Sequence, residues 1–190
     1  MSRARLEAFT DGVIAILITI LVLEIHLPDT QHSWTVVWRM APVFAAYVLS
    51  FLVIAGFWIS HHTLMLQTEN VTVQALWANL HFLFWLSLTP AVTAWFGTDI
   101  HSVPAAVLFQ LNVIAVNLSF LLLRAVVRRS NPHLINLAIK MEVMSFGINF
   151  VTLVAVIFAP PLLFVGLGVN SLVWLIPTTQ NMRLVTSPRD

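Results

Sequence analysis

Arg5-Leu-Glu-Ala-Phe-Thr-Asp-Gly-Val-Ile-Ala-Ile-Leu-Ile-Thr-Ile-Leu-Val-Leu-Glu24 decides the fold. Its length and its apolar run are those of a membrane-spanning helix, with a carboxylate, Asp11, set into the start. An ionisable group in a spanning helix costs ~2.5–3.5 kcal/mol at the centre and less near an end. It persists only where another group pairs it or uses it. The same helix carries a stripe of bulky aliphatic residues flanked by a single threonine, Thr19. A buried anchor on one side and an apolar stripe on another is the pattern of a pore-lining helix.

The rest of the chain agrees with a membrane reading. Hydrophobic residues make up 59% of it and charged residues 9%, where a soluble domain carries about 25% charged residues. Spans of about 20 residues each let six helices with short loops consume most of the 190 residues. The expected architecture is all-α: a polytopic membrane protein, one six-helix domain over residues 1–190, with no re-entrant pore loop and no soluble domain. The net charge of +1 gives no sign of a nucleic-acid partner, and the absence of cysteine removes disulfides, thiolate metal sites and redox chemistry. Arg3 and Arg5 ahead of an apolar run look like the opening of a signal peptide, but Glu7 and Asp11 interrupt it. The Leu-Glu-Ile-His-Leu-Pro that follows the run is not a small-residue cleavage site.

Six helices are expected, at about Leu6–Leu27, Trp34–Leu66, Val71–Phe96, Val103–Val127, His133–Phe158 and Leu162–Pro177. Pro42 falls in the first part of the second, and Pro90 is expected to kink the third near its end. Pro28, Gly97-Thr-Asp99, Pro132 and Pro160-Pro161 punctuate the connections. With six spans and the N-terminus inside, every Lys and Arg except Arg39 falls on the inner side. The positive-inside rule then puts both termini in the cytoplasm. The two halves do not mirror each other, which argues against a transporter built from inverted repeats.

At 100° per residue, Ile16, Ile20, Leu23 and Leu27 share a narrow stripe, with Thr19 flanking it and Gly12 beside it. Asp11 points roughly 140° away from Ile16, so the carboxylate and the stripe cannot face one pore together. Aliphatic residues on a membrane helix ordinarily face lipid or neighbouring helices, and periodicity alone does not separate that role from a pore lining. Topology gives Asp11 company at one membrane depth: His61 and His62 at the end of the second helix, Asn79 and His81 at the start of the third. Three readings fit these groups. The simplest is a structural hydrogen-bond knot, as buried polar groups require. A proton relay or pH sensor through His61 or His62 is the second. A metal site is the third, weakened because adjacent histidines point in different directions on a helix, and no metal ligand set is assigned. Glu24 reads as an interfacial residue or as one member of a charged ring at a mouth. Asn112, Asn117, Asn149 and Asn170 read as interhelical hydrogen-bonding groups. No Ser/His/Asp spacing, Gly-rich phosphate loop or His-Glu-x-x-His suggests an enzyme, and the Thr-Val-Gly-Tyr-Gly filter of ordinary potassium channels is missing.

Arg5-x-x-x-Phe9-Thr10-Asp11-Gly resembles the Arg-x-x-x-Phe-Ser-Asp signature that opens the first helix of the transmembrane protein 175 family. Trp58-x-x-His61-His62 and Trp77-x-Asn79-Leu80, leading to Leu88-Thr-Pro90, are similar to the same family. The resemblance covers roughly residues 3–97, and Thr10 replaces the usual serine while keeping its hydroxyl. It implies a six-helix subunit of a homotetrameric potassium channel of the cell membrane, with lipid and potassium ions as partners and no cofactor. The first helices would line the pore. Ile16 would sit at the narrowest position, Thr19 at the adjacent hydroxyl layer, Ile20 and Leu23 at further aliphatic layers and Glu24 at the mouth. Arg5, Phe9, Thr10 and Asp11 would lock the first helix to the second and third, although an ideal wheel points Arg5 near the pore face. The rival from another class is a proton-coupled secondary transporter using Asp11 and His62; a non-transporting scaffold is a third.

Overall fold

The structure is a computed structural model that describes residues 2–28, 32–132 and 139–186. All regular elements among them are helices: α1 (Arg3–Leu23), α2 (Trp34–Arg39), α3 (Ala41–Leu66), α4 (Val73–Ser87), α5 (Thr89–Thr98), α6 (Val103–Ser130), α7 (Ile139–Phe158) and α8 (Leu162–Thr186). Among the described residues, four stretches are long and apolar enough to cross a membrane: Arg3–Leu23, Ala41–Leu66, Val73–Thr98 and Val103–Ser130. Val143–Phe158 and Leu162–Trp174 are shorter apolar helices. The chain is a multi-pass membrane protein.

Local chemistry sets the helix starts. The side chains of Ser33, Thr72 and Ser102 accept from the backbone N–H groups of Val36, Ala75 and Ala105, three residues on in each case. Each therefore satisfies one of the donors that a helix start leaves over. Prolines stand in the first turns of α3, α5 and α6, where their missing N–H costs nothing.

Two expected helices are interrupted. The second divides at Met40 into α2 and α3, and the third divides at Leu88 into α4 and α5. The cause is the same each time: Pro42 and Pro90 cannot donate to the carbonyl four residues back, so the ladder breaks one turn earlier. At the second break a neighbouring helix compensates. The Asn112 amide of α6 donates to Trp85 O at 2.9 Å, and Thr89 Oγ1 donates to Asn112 Oδ1 at 3.1 Å. α6 runs three residues beyond its expected end, and α8 remains helical to Thr186, past Pro177, as a membrane helix tolerates. The expected start of the fifth helix, at His133, lies outside the described residues.

α1 packs against α3, α4 and α5, while α6, α7 and α8 close the other side through α4–α6, α6–α7, α7–α8 and α3–α8 contacts. One apolar cluster joins Leu6, Ile14, Leu17 and Leu21 of α1 to Ile54, Phe82, Leu86 and Phe120. A second joins Val53, Phe96, Phe109, Val156, Leu163 and Leu167. Phe57 packs on both, its ring 5.8 Å from those of Phe82 and of Phe120. α7 and α8 meet at Gly166, where a Cβ would fall onto the Thr152 side chain. Only glycine allows that approach, the small-residue contact common between membrane helices.

Candidate functional site

α1 is divided lengthwise. Leu6, Thr10, Ile14, Leu17 and Leu21 are buried against the bundle. Gly12, Ile16, Thr19, Ile20 and Leu23 are exposed, Ile16 at 58% and Leu23 at 72%. The helical period accounts for both sets, since each recurs every three or four residues. The Thr19 hydroxyl donates to Ile16 O at 2.7 Å, which leaves its oxygen lone pairs on the exposed face. Glu24, at the end of the stripe, is half-buried. Arg5 and Phe9 extend the same exposed face toward the helix start. Arg5 has no polar partner among the described residues, so within one chain it stays out of the lock with α3 and α4. Its place on the helical wheel, on the Ile16 side, is the reason.

The bundle-facing side of α1 carries the polar groups, in three sets. In the first, Asn79 Nδ2 donates to Thr10 Oγ1 at 2.9 Å, and Thr10 Oγ1 donates to Leu6 O at 3.0 Å. Asn79 Oδ1 lies 3.0 Å from His61 Nε2. The amide NH₂ is committed to Thr10, so its oxygen must accept, and His61 must carry its proton on Nε2. His61 Nδ1 is buried without a hydrogen-bond partner among the described residues. His61 also stacks on Phe82, with ring centroids 6.3 Å apart.

The second set is Asp11, whose Oδ1 accepts from Trp58 Nε1 at 2.8 Å. The third is His62, whose Nδ1 lies 2.8 Å from Glu7 Oε1. The Trp58 and His62 rings stack at 5.9 Å and join the second set to the third. Of the polar residues expected at one depth, His61, His62 and Asn79 come to the bundle-facing side of α1, with a different division of labour: Asp11 meets an indole, and His62 meets Glu7. His81 does not join them; it is exposed and accepts from Trp85 Nε1 of its own helix at 3.2 Å. Sequence reasoning missed Glu7. It stands one turn before Asp11 on the same side of α1, and that i, i+4 spacing was the available signal.

Two further polar pairs tie the remaining helices. Gln110 Nε2 donates to Asn149 Oδ1 at 2.9 Å, and Ser145 Oγ donates to Asn170 Oδ1 at 2.6 Å, linking α6, α7 and α8. Asn117 instead donates to Val113 O of its own helix. Its amide nitrogen is therefore spent within α6, not on the interhelical bridge expected of it. Among the described residues, no group of three or more His, Asp or Glu side chains could hold a metal ion.

The family described as "Endosomal/lysosomal potassium channel TMEM175" matches residues 5–90, the part holding α1, α3 and α4 with the polar sets. A potassium channel of Chryseobacterium sp. (strain P1-3) is 35% identical over 184 residues, 93% of this chain and 94% of its own. The human endosomal/lysosomal proton channel TMEM175 is 36% identical over 83 residues, which span 38% of this chain and 16% of the human one. The crystal structure of a lysosomal potassium-selective channel TMEM175 homologue from Chamaesiphon minutus superposes with a TM-score of 0.81. It covers 93% of this chain and 97% of that one at 23% identity, a likeness of fold.

Proposed function

The chain belongs to the TMEM175 family of ion channels, and from that premise we propose that it is a potassium-permeable channel whose homotetrameric pore is lined by α1. The observation that carries the proposal is the open stripe of α1. Its own bundle buries one face of the helix and leaves Ile16, Thr19, Ile20 and Leu23 uncovered. Four copies of that stripe around an axis would form a narrow aliphatic tube.

Conduction through such a tube is passive. With the four Ile16 side chains close together, water is excluded and the path is shut, as in other hydrophobic constrictions that gate by dewetting. When they part, a hydrated or partly dehydrated cation passes, and the Thr19 oxygens replace water it has lost. Four Glu24 carboxylates at the mouth would raise the local cation concentration by focusing negative potential. The Asn79, Trp58 and Glu7 bonds hold α1 by its buried face and leave the pore face free of polar obligations. In this reading each subunit crosses the cell membrane six times, with both termini in the cytoplasm. The preference for potassium rests on the named relatives, since residue physics alone does not select it.

The test is ion flux in liposomes containing the purified protein. A potassium gradient should drive uptake of a voltage-reporting dye, and sodium alone should not. Equal flux of both ions would keep the pore and remove the selectivity. Accumulation of a substrate against its gradient would replace the channel with a transporter using Asp11 and His62.

A further inference from the structure

α6 carries arginines at 124, 128 and 129, near its end. Arg124 lies over the Phe120 ring, 5.1 Å from its centroid. Arg128 and Arg129 are exposed and have no polar partner among the described residues. Basic side chains in a last turn commonly bond the carbonyls that a helix end leaves over. Here Asn131 takes that part: its backbone N–H donates to Arg128 O at 3.2 Å, and its side-chain amide donates to Val127 O at 2.9 Å. The same amide donates to Asn70 O at 3.0 Å, and its oxygen accepts from the N–H groups of Glu69 and Asn70, each at 2.9 Å. The end of α6 is thus fixed to the connection between α3 and α4, and the two guanidinium groups are left over. The face beneath Arg129 is apolar. At 100° per residue, Leu111, Leu118, Leu122 and Arg129 fall within about 20° of one line along the helix, and all three leucines are exposed. Leu118 lies about 16 Å from Arg129 at 1.5 Å per residue, close to the depth of one leaflet of a ~30 Å hydrocarbon core.

We propose that this end of α6 binds an anionic phospholipid, with its phosphate against Arg128 and Arg129 and an acyl chain along Leu122 and Leu118. The charge and the apolar line together select that occupant. Guanidinium groups present forked donors that match phosphate oxygens. α6 has no Asp or Glu to offset them, so the positive charge at this end is uncompensated along the helix. A zwitterionic headgroup brings its own cation and gains less from the pair. A soluble anion would leave the leucines uncovered. A second copy laid parallel on the same face would set arginine against arginine. Basic residues at the end of a span attract acidic headgroups, roughly fivefold in affinity for each. Because Asn131 ties the helix end to the turn between α3 and α4, the lipid would sit beside the two helices that hold α1. The proposal requires only that the chain crosses a membrane, and it is independent of the conduction reading.

The experiment is native mass spectrometry of the purified full chain in detergent, titrated with dioleoyl phosphatidylglycerol, dioleoyl phosphatidylcholine and glycerol phosphate. Phosphatidylglycerol should bind saturably and roughly tenfold or more tighter than phosphatidylcholine, as two arginines imply. Glycerol phosphate, the headgroup without its chains, should not bind. Arg129→Gln should lose roughly fivefold of the preference, and Arg128→Gln with Arg129→Gln should remove it. Arg128→Lys with Arg129→Lys keeps the charge and should keep most of the preference. Arg39→Gln removes an exposed charge on α2, at the opposite end of the bundle, and should change nothing. Equal binding of the two lipids would overturn the proposal, as would a preference that survives both glutamines. Glycerol phosphate binding as tightly as phosphatidylglycerol would make this a site for a soluble anion. Loss of subunit association in the glutamine variants would give the face to a second copy. Either result would overturn the lipid assignment.

Discussion

Asn79 Nδ2 donates to Thr10 Oγ1 at 2.9 Å, fastening α4 to α1 between two side chains that are both wholly buried. Because Asn79 Oδ1 also faces His61 Nε2, one amide holds three helices, α1, α3 and α4. Asn79→Leu keeps the volume and removes both bonds, leaving the His61 donor stranded. It should cost about 2–3 kcal/mol, since each unpaired buried group carries a penalty of its own. Denaturant unfolding in detergent measures it. A cost below about 0.5 kcal/mol would mean that neighbouring groups take up the freed partners.

This bond also shows how far the sequence could be read. Thr10, His61 and Asn79 can be assigned to one depth by counting along helices that run in opposite directions, because rise per residue converts position into depth. Partner choice at that depth is a matter of azimuth, which depends on how the helices are turned about their axes. Hence Trp58, whose indole N–H reaches Asp11, looked like part of a motif and not like a donor. Glu7 looked like an interruption of a leader. The stripe on α1 needed only the helical period, and its exposed residues fall where the wheel puts them. The breaks at Met40 and Leu88 were signalled by Pro42 and Pro90. The compensation by Asn112 was not, since it comes from a helix distant in sequence.

Trp58 and Asp11 yield a second prediction. Trp58→Phe keeps a ring against His62 and removes the only donor that the described residues show for Asp11. The loss of one hydrogen bond to a carboxylate should lower stability by about 1–2 kcal/mol. In the proposed homotetramer, Asp11→Ala should reduce the tetramer fraction, measured by size-exclusion chromatography with light scattering, while the surviving channels keep the proposed ion selectivity. A stable tetramer with altered selectivity would move Asp11 from the scaffold to the ion path.

The Glu7–His62 contact of 2.8 Å is half open to its surroundings, with side-chain exposures of 19% and 36%. Solvent and entropy discount such a pair, and its coupling should be on the order of 1 kcal/mol. A double-mutant cycle with Glu7→Gln and His62→Gln isolates that coupling from the changes each substitution makes alone. A coupling that weakens as salt is raised would identify the contact as an ion pair. A salt-independent value would identify the contact as a neutral hydrogen bond.

Gly166 gives a prediction confined to packing. A methyl group there meets the Thr152 side chain, and α7 and α8 must separate to admit it. Gly166→Ala should therefore destabilise the bundle by about 1–3 kcal/mol, as overpacking does. Adding Thr152→Ala should restore most of the loss, because it removes the atoms that obstruct the new methyl group. Gly12→Ala serves as the control, since its Cβ has nothing within 4 Å. Thermal midpoints of the four proteins decide the matter. A Gly166→Ala protein as stable as the parent would show that the helices slide apart at no cost.

The last prediction concerns the open face of α1. Ile16 is 58% exposed and makes no part of the apolar core, so Ile16→Asn should leave the folding of the subunit nearly unchanged. A surface substitution away from special features stays within about 0.5 kcal/mol. In an assembled pore the same change would replace four branched alkyl groups with four amides that water can wet. The dewetting barrier falls, and current through reconstituted channels should rise. Selectivity should fall with it, because a wetted constriction no longer obliges the cation to shed water beside Thr19. Thr19→Val, which removes the hydroxyl and keeps the shape, should reduce current without widening the path. An unchanged current–voltage relation in Ile16→Asn channels would place the constriction elsewhere. If Ile16→Asn unfolded the subunit, the stripe would have to be packed in a way the single chain does not display. Equal stability with larger current is the pairing that only a pore-facing residue produces.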